Sequence, residues 1–297
     1  MQVFTAFSKG LVLREQMKWQ IGDVTVTRVV ELSSSSIGNL ILPQATVDQI
    51  DTIEWIGPFV DEKRRLLMSF HSLIVESLGQ TIVVDTCIGN DKSRGYPKWN
   101  DLQTDFLSDF AQAGFGISQV DTVLCTHMHV DHVGWSTRKV DEKFVPTFAN
   151  AKYLYAESEW NHWCEAGDDE STGPVLEDSV KPIFDAGLAK LVDDDHRVNS
   201  EVWLEPTPGH TPGHVSVHIS SKGEEAIITG DMIHHPCQIA FPEWSTTADY
   251  DQNWSRDTRD RFLDKYVDQP VLIIGTHFFG PTAGRIVMDG RKYRLDY

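Results

Sequence analysis

Val120-Asp-Thr-Val-Leu-Cys125-Thr126-His127-Met128-His129-Val130-Asp131-His132 is the stretch on which the reading of this chain turns. The apolar run at its start predicts a strand over 120–126. Three histidines and an aspartate follow it, so four candidate ligands sit on the turn leaving a strand, where side chains converge. A zinc-type ion takes imidazole nitrogen and carboxylate oxygen at about 2.0–2.2 Å, and a catalytic site keeps one position for water. His127 and His129 alternate and can face one side, while Asp131 and His132 turn toward a second ion. The chain has 12 histidines. Chance would give this pattern in roughly one such protein in a thousand.

Three downstream stretches repeat the theme. Thr207-Pro-Gly-His210-Thr-Pro-Gly-His214 is a Gly/Pro-rich turn after an apolar strand, and it presents His210. Ala226-Ile-Ile-Thr-Gly230-Asp231 and Val271-Leu-Ile-Ile-Gly-Thr276-His277 are apolar strands that end in Asp231 and His277. Each alone is weak, because a Gly-Asp after a strand is ordinarily a plain turn and a strand-end His an ordinary polar residue. Together they place one ligand type at the exit of each of three strands. His214 reads as structural.

Strand-length apolar runs recur at 24–30, 66–76, 81–85, 152–156, 201–205 and 214–219. Helical patterns fall at 102–113, 158–164, 180–190 and 250–267, the last with Trp254, Phe262 and Tyr266 on one face. This order predicts two mostly antiparallel sheets with helices outside them. The whole of 1–297 reads as one domain, with N-terminal strands within 1–65 and a segment, 33–65, that reads as loop or lid.

With 40% hydrophobic and 24% charged residues the composition is ordinary for a globular protein. The formal charge of −18 repels phosphate backbones and anionic lipid, which argues against nucleic-acid and membrane partners. No apolar run approaches the ~18–20 residues of a membrane span. The first twenty residues lack the pattern of a signal peptide, and four scattered cysteines without a CxxC pair read as reduced thiols, so a cytoplasmic location is expected.

The run His-x-His-x-Asp-His, a later Pro-Gly-His, a Gly-Asp and a terminal strand-end His resembles the metallo-β-lactamase-fold superfamily over roughly residues 66–297. The resemblance implies an α+β fold, a four-layer αββα sandwich with the site at one edge of the sheets. It implies two divalent ions, zinc first, with manganese, iron or cobalt as alternatives. His127, His129 and His210 would hold one, Asp131, His132 and His277 the other, and Asp231 would bridge them. Asp85 matches an aspartate that orients a ligand histidine from behind. With two carboxylates and a bridging hydroxide, such a site stays about one charge positive and suits an oxygen that gains charge during hydrolysis. No Gly-x-Ser-x-Gly elbow is present.

Within the superfamily, Gly230-Asp231-Met-Ile-His234-His235-Pro236 looks like the lactonase and methyl-parathion-hydrolase branch. Related lactonases carry a Tyr three residues after the bridging Asp, where this chain has His234. Asp131 and His234 are therefore the expected catalytic residues, with His71 a weaker candidate. Phe278, Phe279 and Trp244, beside ligands or site loops, are the expected walls of a substrate pocket. The expected function is hydrolysis of a lactone or a related small apolar ester by a metal-bridging hydroxide. An organophosphate or aryl-ester hydrolase and a mononuclear-iron persulfide dioxygenase are the alternatives. The expected partner is a small-molecule substrate, with a homodimer left open.

Overall fold

Alternation of side chains along the strands builds the layers of this protein. In the computed structural model, which describes residues 17–168 and 172–297, Ile82, Val84, Leu124, Leu154 and Ala156 point one way. Val83, Val123, Tyr153 and Tyr155 point the other. Neighbours on a strand must face opposite sides of its sheet, so both faces of this sheet are apolar and both are covered. The part of the N-terminal expectation that falls on residues 1–16 lies outside the described residues.

The first half of the chain supplies β1 (Lys18–Ile21), β2 (Val24–Ser34), β3 (Met68–Ser77), β4 (Gln80–Val84), β5 (Thr122–Leu124), β6 (Thr137–Val140), β7 (Lys143–Pro146), β8 (Lys152–Ala156) and β9 (Ala189–Val192). Seven of these form one sheet in the order β1-β2-β3-β4-β5-β8-β9, and β6 and β7 pair as a separate hairpin. The second half supplies β10 (Val202–Pro206), β11 (Val215–Ser221), β12 (Glu224–Ile228), β13 (Val271–Ile274), β14 (Ala283–Asp289) and β15 (Lys292–Asp296), which pair in sequence order. The first sheet is only half antiparallel, because β4, β5, β8 and β9 run parallel. Long crossovers make that direction possible, helical between β4 and β5 and between β8 and β9, and carrying the β6–β7 hairpin between β5 and β8.

The two sheets face each other across one core. Val24, Val26, Leu73 and Val84 meet Leu204, Val217, Ile219 and Ile228 there. Each such side chain, fully buried, contributes about 1.5–3 kcal/mol. The outer face of the first sheet packs on the helices Phe106–Gln112 and Lys181–Asp185 through Phe106, Phe110 and Ile183. The outer face of the second packs on the helix Gln252–Tyr266 through Phe262, Leu263 and Tyr266. The result is the αββα sandwich. Among the described residues no helix is long and apolar enough to cross a membrane.

Three sequence expectations need correction. Trp254 does not share the buried face of its helix; it is 38% exposed, whereas Phe262 and Tyr266 are buried. The helical pattern over 180–190 yields only Lys181–Asp185, because Gly187 turns the chain at positive φ and Ala189–Val192 pairs with β8. Segment 33–65 is not a free loop. It holds two short helices, Gly38–Ile41 and Val47–Ile50, and buries Leu42, Ile50, Ile56 and Phe59 in the cluster that contains Ile233 and Trp244.

Candidate metal centre

Strand direction brings the ligand types together. β4 and β5 run parallel and leave the first sheet at one edge, delivering Asp85 and the 127–132 turn. In the second sheet β10, β12 and β13 share one direction, and they release His210, Asp231 and His277 at the facing edge.

The expected ligands form two clusters, with Asp231 reaching both, and His210, His234 and Asp249 make a third group beside them. His129 Nδ1 lies 3.1 Å from His127 Nε2 and 2.8 Å from His210 Nε2. Asp231 Oδ2 completes this group, 3.8 Å from His127 Nε2 and 3.5 Å from His210 Nε2. The other oxygen, Oδ1, lies 3.2 Å from His132 Nε2 and 3.1 Å from His277 Nε2. Asp131 closes the second group, at 3.8 Å from His132 and 3.5 Å from His277. Such separations are the edges of a polyhedron around an ion with bonds of about 2.0–2.2 Å. His132 Nε2 and Asp231 Oδ1 are also buried without a hydrogen-bond partner among the described residues. Buried polar atoms left so are costly, and a cation between them would remove the cost. The residues present fit two divalent ions.

Hydrogen bonds behind the cluster fix the imidazoles. His132 Nδ1 lies 2.8 Å from Asp85 Oδ2. Asp85 also accepts from the backbone N–H and hydroxyl of Thr126, whose Oγ1 lies 3.1 Å from His127 Nδ1. His210 Nδ1 lies 2.8 Å from Asp249 Oδ1, and His277 Nδ1 lies 3.1 Å from the Ser69 carbonyl. His214 Nε2 accepts from the backbone N–H of Asp231, and Nδ1 lies 3.0 Å from the Thr207 carbonyl.

The charges tell the same story. Burial, reinforced by neighbouring histidines, holds His127 and His129 well below the usual imidazole range, in the neutral form that binds metal. Burial also opposes charge on His132 and His277. There the carboxylates, Asp231 foremost, outweigh it and raise both pKa values.

The family model of the metallo-beta-lactamase superfamily matches residues 67–286. The chain belongs to the metallo-β-lactamase superfamily. No curated protein matches its sequence. Among solved structures, the superfamily member is similar to AidC, a dizinc quorum-quenching lactonase in complex with a product, N-hexnoyl-L-homoserine. That match has a TM-score of 0.77 at 21% identity, covering 94% of this chain and 96% of AidC. It is also similar to the hydrolase AbOPH, with a TM-score of 0.77 at 22% identity over 95% and 97% of the two chains. A probable metal-dependent hydrolase from Staphylococcus aureus gives 0.73 at 19% identity over 93% and 98%. At such identities the likeness speaks to the fold.

The remaining site residues of this superfamily member divide. His234 is buried beside the cluster, with Nε2 3.1 Å from Asp231 Oδ2 and its ring 4.7 Å from that of His210. Burial lowers its pKa against the pull of Asp231. His71 is equally buried, with Nδ1 2.9 Å from Ser69 Oγ. Phe278 is not a pocket wall. It is fully buried in the outer core, and its ring lies so close over Gly275 that any Cβ there would stand 2.2 Å from it. Trp244 stacks on Phe241 at 4.3 Å, and its carbonyl accepts from Gln238 and Arg259, so it braces the His234 loop. Phe279 is 5% exposed. Asp249, Gln238, Arg259 and Glu159 escaped the sequence reading. Each is an isolated polar residue in an unremarkable stretch, and only the fold reveals its partner.

Proposed function

We propose that this protein is a dinuclear metal-dependent hydrolase that opens a lactone or cleaves a related small, apolar ester. One observation carries the reading: the two carboxylate oxygens of Asp231 face two separate sets of histidines. A carboxylate so placed fits a bridge between two ions, with His127, His129 and His210 around one and Asp131, His132 and His277 around the other. Ions held there would lower the pKa of a shared water toward ~7 and polarise the substrate oxygen.

The chain's own residues do the rest. Asp231 fixes the spacing of the two halves. Asp131, with its side chain 12% exposed, and His129 are the ligands nearest solvent, so substrate meets the centre on their side. His234 stands beside Asp231, takes up the proton that the attacking water loses, and donates it from Nε2 to the oxygen that gains charge as the ester bond breaks. The likeness to AidC supports a lactone as substrate.

Elemental analysis of protein purified without chelator, followed by assay against lactones, aryl esters, phosphotriesters and thioesters, tests the proposal. The expected result is two zinc-type ions per chain and fastest turnover on a lactone. One iron per chain would favour the persulfide dioxygenase reading, and preference for phosphotriesters the organophosphate reading.

A further inference from the structure

Glu159 takes no part in the chemistry above, yet it is 1% exposed and sits between two ligand-bearing loops. It lies on the first turn of the helix Glu157–Ala166. Its Oε1 accepts from the backbone N–H of Met128 at 2.8 Å and from Trp163 Nε1 at 2.7 Å. Its Oε2 accepts from Thr211 Oγ1 at 2.7 Å and from the Gly213 N–H at 3.2 Å. Met128 stands between His127 and His129, and Thr211 follows His210. One carboxylate therefore joins the loops whose three histidines meet around His129 Nδ1. Trp163 adds a second hold, packing edge-on against His129 with ring centres 5.5 Å apart. The other half of the centre is held differently, His132 by Asp85 and His277 by the Ser69 carbonyl.

We propose that Glu159 is a positioning residue that sets the span between His127–His129 and His210, and so the affinity of that half of the centre for its ion. All four partners are donors, which suits a carboxylate with acceptors only. A glutamine can serve three of them, since the Thr211 hydroxyl can turn to accept from the amide. Its oxygen still accepts from Met128 and Trp163, but its amide then meets the Gly213 N–H donor to donor. The inference rests on the two-ion reading, and it predicts an asymmetric loss.

The test is competition between a chromophoric chelator and wild type, Glu159→Gln and Glu159→Ala, each stripped of metal and titrated with Co2+. Wild type should take up two ions tightly. Glu159→Ala should keep one such ion and hold the other roughly 10–100-fold more weakly, the usual effect of losing such a support. Glu159→Gln should fall between them. Adding Glu159→Ala to His277→Ala should weaken the ion that remains. Equal weakening of both ions, or wild-type affinities in either variant, would overturn the proposal. A wild type that binds only one ion would instead overturn the two-ion reading beneath it. Should Glu159→Ala fail to fold by circular dichroism, Glu159→Gln carries the test, because its amide keeps the volume and loses only the bond from the Gly213 N–H.

Discussion

His214 and His234 both touch Asp231, but they are wired for different work. Both nitrogens of His214 are engaged, and burial holds its pKa down to about 3, so it is a neutral prop for the Asp231 backbone. His234 faces the Asp231 carboxylate with Nε2, and its Nδ1 has no hydrogen-bond partner among the described residues. Nε2, held beside the centre by that carboxylate, is the atom placed for proton transfer. General acid help is typically worth ~10²–10⁴-fold. His234→Ala should therefore lower turnover on a lactone at least about tenfold with metal content unchanged, and the deficit should shrink on nitrophenyl esters, whose leaving group needs no proton. Parallel kinetics and elemental analysis check this; equal losses on both substrates would remove His234 from acid catalysis. Asp231→Ala should behave differently and lose metal and activity together, since both halves depend on it. The main ligand types were legible because three histidines and an aspartate share one turn. Asp249 and Glu159 were not, because their partners lie 39 and up to 54 residues away and no local pattern marks them.

At the scale of elements, the helix Gln252–Tyr266 supports two of the three ligand loops of the second sheet, those of His210 and Asp231. Asp251 caps it, accepting from the N–H groups of Asn253 and Trp254. Thr258 donates to the Pro208 carbonyl, and buried Arg259 donates to the carbonyls of Met232, Pro242 and Trp244. The turn before His210 touches this helix directly. Gly209 has φ +132°, and a Cβ there would meet the Ser255 nitrogen at 2.4 Å. Gly209→Ala should cost about 1–3 kcal/mol in denaturant unfolding and loosen metal at His210; unchanged stability would show that the helix can retreat. The same helix is tied to β10 through Glu205, which accepts from Lys265 and Tyr266 and faces His218. Burial opposes its charge, but these partners prevail and hold its pKa at about 2 against an ordinary 4.5. A depressed carboxylate pKa stabilises the fold above 4.5, and that share fades as pH falls toward 2. In chelator-treated protein, the stability gap between wild type and Glu205→Gln should close over this window; a gap independent of pH would refute the assignment. Long strands with both faces buried, such as β3, were legible from composition. The hairpins β6–β7 and β14–β15 were not, because their charged, exposed residues carry little apolar signal.

For the whole molecule, the centre joins the two sheets at one edge. The 127–132 turn comes from the first sheet, and His210, Asp231 and His277 come from the second. The inter-sheet core is extensive, with Val26, Val75, Ile82 and Ile228 fully buried, so the sandwich is expected to form without metal. The edge is another matter. There Asp131 and Asp231 crowd five imidazoles, and the carboxylates, Asp231 foremost, raise the pKa values of His132 and His277 against burial. Ions that bind the folded chain alone stabilise it by mass action, about 2.7 kcal/mol per site at a hundred times Kd. For a chain of this size 1 kcal/mol moves Tm by roughly 2–4 °C. A chelator should therefore lower Tm by about 5 °C or more while far-ultraviolet circular dichroism keeps its shape. Added Zn2+ should restore Tm in proportion to the logarithm of its concentration. Because the ligands span both sheets, hydrogen exchange after chelation should rise first at the strand exits around residues 125–132, 207–214 and 229–235, and least in β3 and β12. Uniform exchange, or a Tm indifferent to chelator, would show that the two sheets hold that edge without help from metal.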